Sequence, residues 1–118
     1  TILMSIADFS LLEVDGNPIG CVAVHQSEDF PETAELACLF VRQSHKGQGY
    51  GARLVAHAEQ IAIERGAQQL VVLTTRAKGY FERVGNFSSA DPSQLPAFRL
   101  SSYQSSGRGS IVLLKTLS

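Results

Sequence analysis

The chain has 118 residues, 44% of them hydrophobic, and a formal net charge of −1 at pH 7. This length suits one domain with a modest core. The charge balance lacks the basic excess of proteins that bind nucleic acid mainly through phosphates, and neither an apolar run of about eighteen residues nor a signal-peptide pattern is found. We therefore expect a single cytoplasmic domain, residues 1–118, with no nucleic-acid or membrane partner.

The chain offers few metal-binding side chains. Its two cysteines, Cys21 and Cys38, lie within apolar, strand-like stretches, and two cysteines cannot make a disulfide framework. They are expected to be buried, reduced thiols. The three histidines, His25, His45 and His57, are too dispersed along the chain to indicate a metal site. We therefore expect no metal.

The first half of the chain is rich in strand signals. Residues 1 to 8 indicate only the tail of an earlier element. A strand is predicted at Phe9 to Val14, and the turn sequence Asp15-Gly16-Asn17-Pro18 joins it to a returning strand at Ile19 to His25. Ala34 to Val41 is nearly continuous in apolar residues, which is typical of a central strand.

The second half alternates helices and strands. The stretch Lys46-Gly47-Gln48-Gly49-Tyr50-Gly51 opens an amphipathic helix that ends near Gly66. A buried strand at Gln69 to Thr75 completes a parallel strand–helix–strand unit. A short helix is predicted at Lys78 to Val84 and a last strand at Ile111 to Leu117. The fold class is α/β, with a mixed sheet and one parallel crossover.

The glycine-rich stretch has the composition of a phosphate-binding loop. Its glycines remove Cβ atoms, the first helix amides lack intrahelical partners, and Lys46 adds a mobile positive charge. A strand-to-helix turn without a ligand would explain the spacing as well. Gly47-x-Gly49-x-x-Ala52 formally fits the dinucleotide fingerprint, but no acidic residue ends the next strand, and no Gly-Lys-Ser/Thr supports a P-loop.

The same stretch resembles the acetyl-coenzyme A signature of GNAT acetyltransferases, Gln/Arg-x-x-Gly-x-Gly/Ala, which Lys46-x-x-Gly49-x-Gly51 matches with lysine in the basic position. Further stretches resemble the C-terminal acetyltransferase domain of the N-acetylglutamate synthase family. In chain order they are Ala34-Glu35-Leu36-Ala37-Cys38, Leu73-Thr74-Thr75-Arg76, Tyr80-Phe81, Leu95-Pro96 followed by Arg99, and Arg108-x-Ser110. The similarity runs from about Leu3 to the end. It implies the GNAT acyl-CoA N-acyltransferase fold, a mixed central sheet flanked by helices. In this chain we expect the amino-terminal strand and helices that open that fold to be absent.

The resemblance implies acetyl-CoA as a co-substrate, bound in a V-shaped opening between the parallel strands. The backbone of Leu39 and Val41 would hold the pantetheine arm as an added strand would be held. The pyrophosphate would lie on the loop residues Lys46, Gly47, Gln48, Gly49, Tyr50 and Gly51.

The implied reaction acetylates the α-amino group of L-glutamate, the first step of arginine biosynthesis. Glu35 would be the general base, acting through a water; its alternative is a structural ion pair. Many GNAT enzymes use a tyrosine as the acid at the position of Phe81. The synthase family places a hydroxyl at Thr74 or Thr75 instead, and Tyr80 is the reserve.

Recognition of glutamate would fall to Arg99, Arg108 and Ser110, since guanidinium groups pair well with carboxylates. The alternative is that these arginines are ordinary surface residues. Two other functions stay open: a GNAT enzyme acting on another amine, such as a protein N-terminus, a polyamine or another amino acid, and a non-catalytic acyl-CoA-binding domain. The expected partners are a small-molecule acceptor and a second copy in a homo-oligomer.

Overall fold

A mixed β-sheet organises the chain. The structure is a computed structural model that describes residues 2–6, 9–26, 31–74, 77–89 and 111–117. The strands are β1 (Ile2–Ile6), β2 (Phe9–Val14), β3 (Asn17–Gln26), β4 (Thr33–Val41), β5 (Gln69–Thr74), β6 (Ser88–Ser89) and β7 (Ile111–Thr116). The helices are α1 (Tyr50–Glu64), α2 (Lys78–Gly85) and a 3₁₀ turn at Gln43–His45.

The strands lie in the order β1-β2-β3-β4-β5-β7-β6. Within the described ranges, β4 and β5 are the parallel pair, and every other pair of neighbours is antiparallel. The strand expected to be central, β4, is fourth among the strands, and α1 makes the crossover from β4 to β5. The predicted α/β class, mixed sheet and parallel crossover are confirmed.

The edge of the sheet corrects one expectation. The sequence analysis assigned no strand to residues 1 to 8. Residues 2 to 6 instead form β1, which pairs with β2 from Ile2–Glu13 to Ile6–Phe9. The stretch is short, and its partner is supplied by a strand immediately after it in the chain.

The parallel strands separate soon after they begin. In the described part of the sheet they pair at Thr33–Gln69, Ala34–Leu70 and Glu35–Val71, and then part. From there β4 is held by β3, whereas β5 is held by β7. The two strands therefore bound a V-shaped opening.

A β-bulge lies in β4 at the start of this opening. Leu36 and Cys38 are opposite consecutive residues of β3, so Ala37 is an extra residue in the strand. The bulge reverses the alternation of side chains beyond it. Leu39 therefore faces the same side as Leu36, and Phe40 is turned to solvent, with 56% of its surface exposed.

Helix α1 covers one face of the sheet. It buries Leu54, Val55, Ala58 and Ala62. Two polar contacts also tie it to strands: Glu59 accepts from Lys115 of β7 at 2.7 Å, and the His57 ring lies 3.0 Å from the Ser10 hydroxyl of β2. Neither described helix has the length and apolar character needed to cross a membrane.

The cysteines are only partly as expected. Both are free, but the expectation that both are buried is wrong, because Cys21 is half-buried and Cys38 is exposed. They lie on β3 and β4, on the sheet face opposite α1. The apolar character of β4 does not distinguish its two faces, so the bulge and the exposure it causes were not foreseen.

Candidate functional site

Two adjoining cavities follow the opening between β4 and β5. The first has a volume of about 230 Å³ and lies between the strands. The second, of about 400 Å³, lies beside the glycine-rich loop. Leu39, Ala77 and Tyr80 line both of them. The two cavities together make a groove that runs from the fork of the sheet to the start of α1.

The loop at the end of the groove presents bare backbone. Gly47 and Gly49 have φ values of +82° and +86°, which residues with a Cβ rarely adopt. A Cβ built on either one would meet no atom within 4 Å, so the space beside them is open. Lys46 is exposed next to them. This corner is shaped for a group that approaches the main chain closely.

The amino terminus of α1 points donors into this corner. Gly49 is the N-cap and has no side chain to satisfy the first amides, and the first helical bond runs from the Arg53 amide to the Gly49 carbonyl at 3.1 Å. The amides of residues 50–52 precede that bond and are available to a ligand. With the positive end of the helix dipole, they favour an anion such as a phosphate.

The β4 backbone also faces the groove at defined positions. The Arg42 amide donates to the Ile19 carbonyl of β3 at 2.7 Å. Backbone groups alternate in direction along a strand, so those of Leu39 and Val41 point away from β3 and toward the opening. Both residues also line the loop cavity. An extended ligand could pair with them as a strand does.

Glu35 marks the fork itself. It is opposite Val71 in the last parallel pair before the strands part, and opposite His25 of β3 on its other side. Its neighbours Ala34 and Leu36 are buried in the core beneath α1. By alternation, the half-buried side chain of Glu35 lies on the other face of the sheet.

Thr74 ends β5 and lines the cavity between the strands. Its hydroxyl oxygen accepts a hydrogen bond from the Ala77 amide at 2.9 Å, which fixes the side chain at the start of α2. A threonine hydroxyl can both accept and donate hydrogen bonds.

Tyr80 stands where the two cavities meet. Its hydroxyl lies against Gly51, where a Cβ would overlap it. Burial raises the pKa of Tyr80, and the nearby Arg83 guanidinium partly opposes this. The neighbouring Phe81 is buried in the core, edge-on to the rings of Tyr80 and Phe87. Both rings line the cavity between the strands, but Tyr80 alone of the two brings a hydroxyl to the groove wall.

The structure adds residues that the sequence analysis missed. His45, Phe40 and Ala77 also line the loop cavity. The His45 ring lies 2.9 Å from the Ser44 hydroxyl through Nδ1 and is tilted against the Tyr50 ring at 6.0 Å. The position of His45 directly before Lys46 was the available signal, but a lone histidine is weak evidence for a site.

Several predicted residues lie outside the described part of the chain: Thr75, Arg76, Arg99, Arg108 and Ser110. The residues that the structure does describe contain no cluster of His, Cys, Asp and Glu able to hold a metal ion.

Known proteins share this arrangement. The profile of the acetyltransferase (GNAT) family matches residues 5–85. The amino-acid acetyltransferase of Neisseria meningitidis is 38% identical over 112 residues, which is 95% of this chain and 25% of that protein. The amino-acid acetyltransferase of Ralstonia nicotianae is 40% identical over 114 residues, 95% of this chain and 24% of that protein.

A solved structure is similar over almost the whole chain. N-acetylglutamate synthase from Neisseria gonorrhoeae, complexed with coenzyme A and N-acetyl-glutamate, superposes with a TM-score of 0.88 at 37% identity. The match covers 94% of this chain and 26% of that one. The chain thus spans about a quarter of the length of the relatives it matches.

Proposed function

Because the chain belongs to the acetyltransferase (GNAT) family, we propose that it transfers an acetyl group from acetyl-CoA to the α-amino group of L-glutamate. The products are N-acetylglutamate and coenzyme A, as in the first step of arginine biosynthesis. The observation that carries the proposal is the fork between β4 and β5, which leads into the open glycine loop. The bound N-acetyl-glutamate of the similar synthase supports the choice of acceptor.

The groove fits acetyl-CoA, which supplies a thioester as the acyl donor. The loop amides and Lys46 would bind the pyrophosphate, at the place where the absence of Cβ atoms leaves open space. The backbone of Leu39 and Val41 would pair with the pantetheine amides. The thioester would then lie between the strands, close to the fork at Glu35.

Glu35 would act as the general base. The amine of glutamate is protonated near neutral pH and must lose a proton before it can attack the thioester carbonyl. Glu35 is half-buried at the fork, on the sheet face opposite α1. The acceptor would approach from this face, and coenzyme A would lie on the α1 side. A water would relay the proton to the carboxylate.

The departing thiolate needs a proton. Thr74 is the proposed donor, since its hydroxyl lies at the end of β5, lines the cavity between the strands and is held in place by the hydrogen bond from the Ala77 amide. Tyr80 remains the alternative, because burial raises its pKa and keeps the phenol protonated well above neutral pH.

The acceptor's carboxylates would be held by Arg99, Arg108 and Ser110. Removing the protein side of a charge-assisted pair with the acceptor should weaken binding of the acceptor and leave binding of acetyl-CoA unchanged. Arg108→Ala should therefore raise the KM for glutamate much more than the KM for acetyl-CoA. Equal effects on both constants would remove Arg108 from the acceptor site.

An acceptor screen tests the function. The 118-residue chain is incubated with acetyl-CoA and with each of the twenty amino acids, short peptides and polyamines in turn, and released thiol is measured. Thiol release with glutamate, confirmed as N-acetylglutamate by mass spectrometry, is the expected result. Glu35→Gln should slow this release by about 10²- to 10⁴-fold, whereas Glu82→Gln, a change to an exposed carboxylate on α2, should not.

Other outcomes point to the alternatives. Release only with peptides, polyamines or another amino acid would assign a different acceptor. Coenzyme A binding without turnover of any acceptor would indicate an acyl-CoA-binding domain. We also propose a cytoplasmic location, because free cysteines suit a reducing compartment. Association into a homo-oligomer is proposed as well.

A further inference from the structure

Tyr80 of α2 stands at the junction of the two cavities in the groove. It lines both the cavity between β4 and β5 and the cavity beside the glycine loop. Its half-buried ring lies edge-on to Phe81, with the ring centroids 5.5 Å apart, and the Arg83 guanidinium carbon is 5.9 Å from its ring centroid. These contacts hold the ring, so the hydroxyl has a defined place in the groove.

The hydroxyl lies at the loop end of the groove. A Cβ built on Gly51 would overlap the Tyr80 oxygen but would be 3.3 Å from its Cζ and 3.9 Å from its Cε1, so the ring points at Gly51 with the hydroxyl leading. Gly51 is in the first turn of α1 and lines the loop cavity. Leu36 and Thr74 line the cavity between the strands instead. The polar tip of Tyr80 is therefore directed toward the proposed pyrophosphate site rather than toward the fork.

This hydroxyl can act as a donor to an anion. Within the described residues it makes no hydrogen bond, and burial raises the pKa of Tyr80, so the phenol keeps its proton at neutral pH. The amides of residues 50–52, in the first turn of α1, face the same corner. A phenol beside these amides adds a side-chain donor to the backbone donors, and hydrogen bonds to charged acceptors are the stronger ones.

We propose that the Tyr80 hydroxyl binds coenzyme A by donating a hydrogen bond to the pyrophosphate, at the phosphate next to the pantetheine arm. That phosphate is the group that would lie at the junction of the two cavities, where Tyr80 stands. Glycine suits position 51 because a larger residue would displace the hydroxyl. The inference rests on the acetyl-CoA site of the proposed function. It makes Tyr80 a cofactor-binding residue and leaves proton donation to Thr74.

Tyr80→Phe removes the hydroxyl and keeps the ring. The Kd for coenzyme A, measured by isothermal titration calorimetry, should rise by about 10- to 100-fold. The same rise is expected for 4′-phosphopantetheine, which keeps the phosphate next to the arm. Pantetheine, which has no phosphate, should compete equally well for the wild type and the variant. A wild-type Kd for coenzyme A in the folded variant, or an equal loss of affinity for pantetheine, would overturn the proposal.

Two further measurements separate binding of the pyrophosphate from other roles. In ³¹P NMR of bound coenzyme A, Tyr80→Phe should shift the pyrophosphate resonances and leave the resonance of the 3′-phosphate unchanged. In thiol release at saturating glutamate, the variant should have a raised KM for acetyl-CoA and the kcat of the wild type. A lowered kcat with unchanged KM and Kd would identify Tyr80 as the proton donor and refute the proposal.

Gly51→Ala tests the same contact from the other side. The added Cβ would displace the hydroxyl in the wild type, whereas in Tyr80→Phe the nearest ring atom would be 3.3 Å away. Gly51→Ala should therefore raise the Kd for coenzyme A by a much smaller factor in the Tyr80→Phe background than in the wild type. Equal factors in the two backgrounds would contradict a role for the hydroxyl.

Circular dichroism of each variant establishes that it is folded before binding is measured. Coenzyme A binding needs no acceptor, so the two proposals can fail separately. Coenzyme A binding that depends on the Tyr80 hydroxyl, without turnover of glutamate, would refute the proposed acetyl transfer and support this inference.

Discussion

Replacing Gly49 with alanine separates the backbone geometry of the glycine loop from the general stability of α1. Gly49 has φ +86° and is the N-cap of α1, so an alanine there must adopt a left-handed conformation. This residue sets the direction of the first amides of the helix. A residue with a Cβ pays about 1–2 kcal/mol for this conformation. No neighbouring atom lies within 4 Å of the added Cβ, so the strain comes from the backbone alone.

The chain contains a matched control for this change. Gly66, just beyond the carboxyl end of α1, has φ +85° and likewise no atom within 4 Å of an added Cβ. Gly66→Ala should therefore lower the free energy of unfolding by the same amount, about 1–2 kcal/mol. The two variants differ in which end of the helix they strain.

Coenzyme A binding should distinguish the two variants. Hydrogen bonds to charged groups contribute roughly 1.5–3 kcal/mol each, and each 1.4 kcal/mol is about tenfold in Kd. If Gly49→Ala misplaces one amide on the pyrophosphate, Kd should rise by about 10- to 100-fold. Gly66→Ala should bind coenzyme A as the wild type does.

Isothermal titration calorimetry with coenzyme A, paired with urea unfolding of each variant, gives both quantities. Equal stability losses with a Kd change only in Gly49→Ala are expected. A wild-type Kd in folded Gly49→Ala would remove the α1 amides from the binding site. An equal loss of affinity in Gly66→Ala would show that the effect is one of global stability.

Three further predictions test the site and the core. Glu35→Gln should lower kcat by about 10²- to 10⁴-fold with the acetyl-CoA KM unchanged; an unchanged kcat would identify another base. Gly85→Ala should destabilise the fold by about 1–3 kcal/mol, since the added Cβ would lie 2.7 Å from the Phe87 ring. In the same helix, a Cβ added at Gly79 would have no atom within 4 Å, so Gly79→Ala should be neutral or stabilising in thermal melts. Burial raises the pKa of Tyr80 in the folded chain. The stability that protonated Tyr80 contributes is therefore complete below its unfolded pKa of about 10 and is lost as the pH rises through the folded pKa. Urea unfolding from pH 8 to 11 should show a smaller loss of unfolding free energy for Tyr80→Phe than for the wild type, and equal losses would contradict this.

The sequence predicted the central architecture because local signals and topology agree there. Two apolar runs joined by an amphipathic helix require a parallel crossover. The glycine stretch before α1 leaves open space beside the main chain at Gly47 and Gly49, as the absence of Cβ atoms predicted. The bulge at Ala37 could not be predicted, since an apolar run without alternation does not reveal which residue is extra. The same ambiguity hid the exposure of Cys38. The contact between Tyr80 and Gly51 is tertiary and joins elements that no local pattern relates.

The short seam between β4 and β5 bears on how the protein is held together. In the described residues, three register pairs connect a four-stranded ribbon, β1 to β4, with a second ribbon of β5, β7 and β6. Helix α1 packs across the junction, but the backbone of the two ribbons is largely unlinked there. A molecule that binds along β4 and contacts β5 would complete the missing connection. At a concentration one hundred times its Kd, such a molecule would add about 2.7 kcal/mol to the free energy of unfolding of the chain. The substrate would then serve as a structural member of the sheet as well as its reactant.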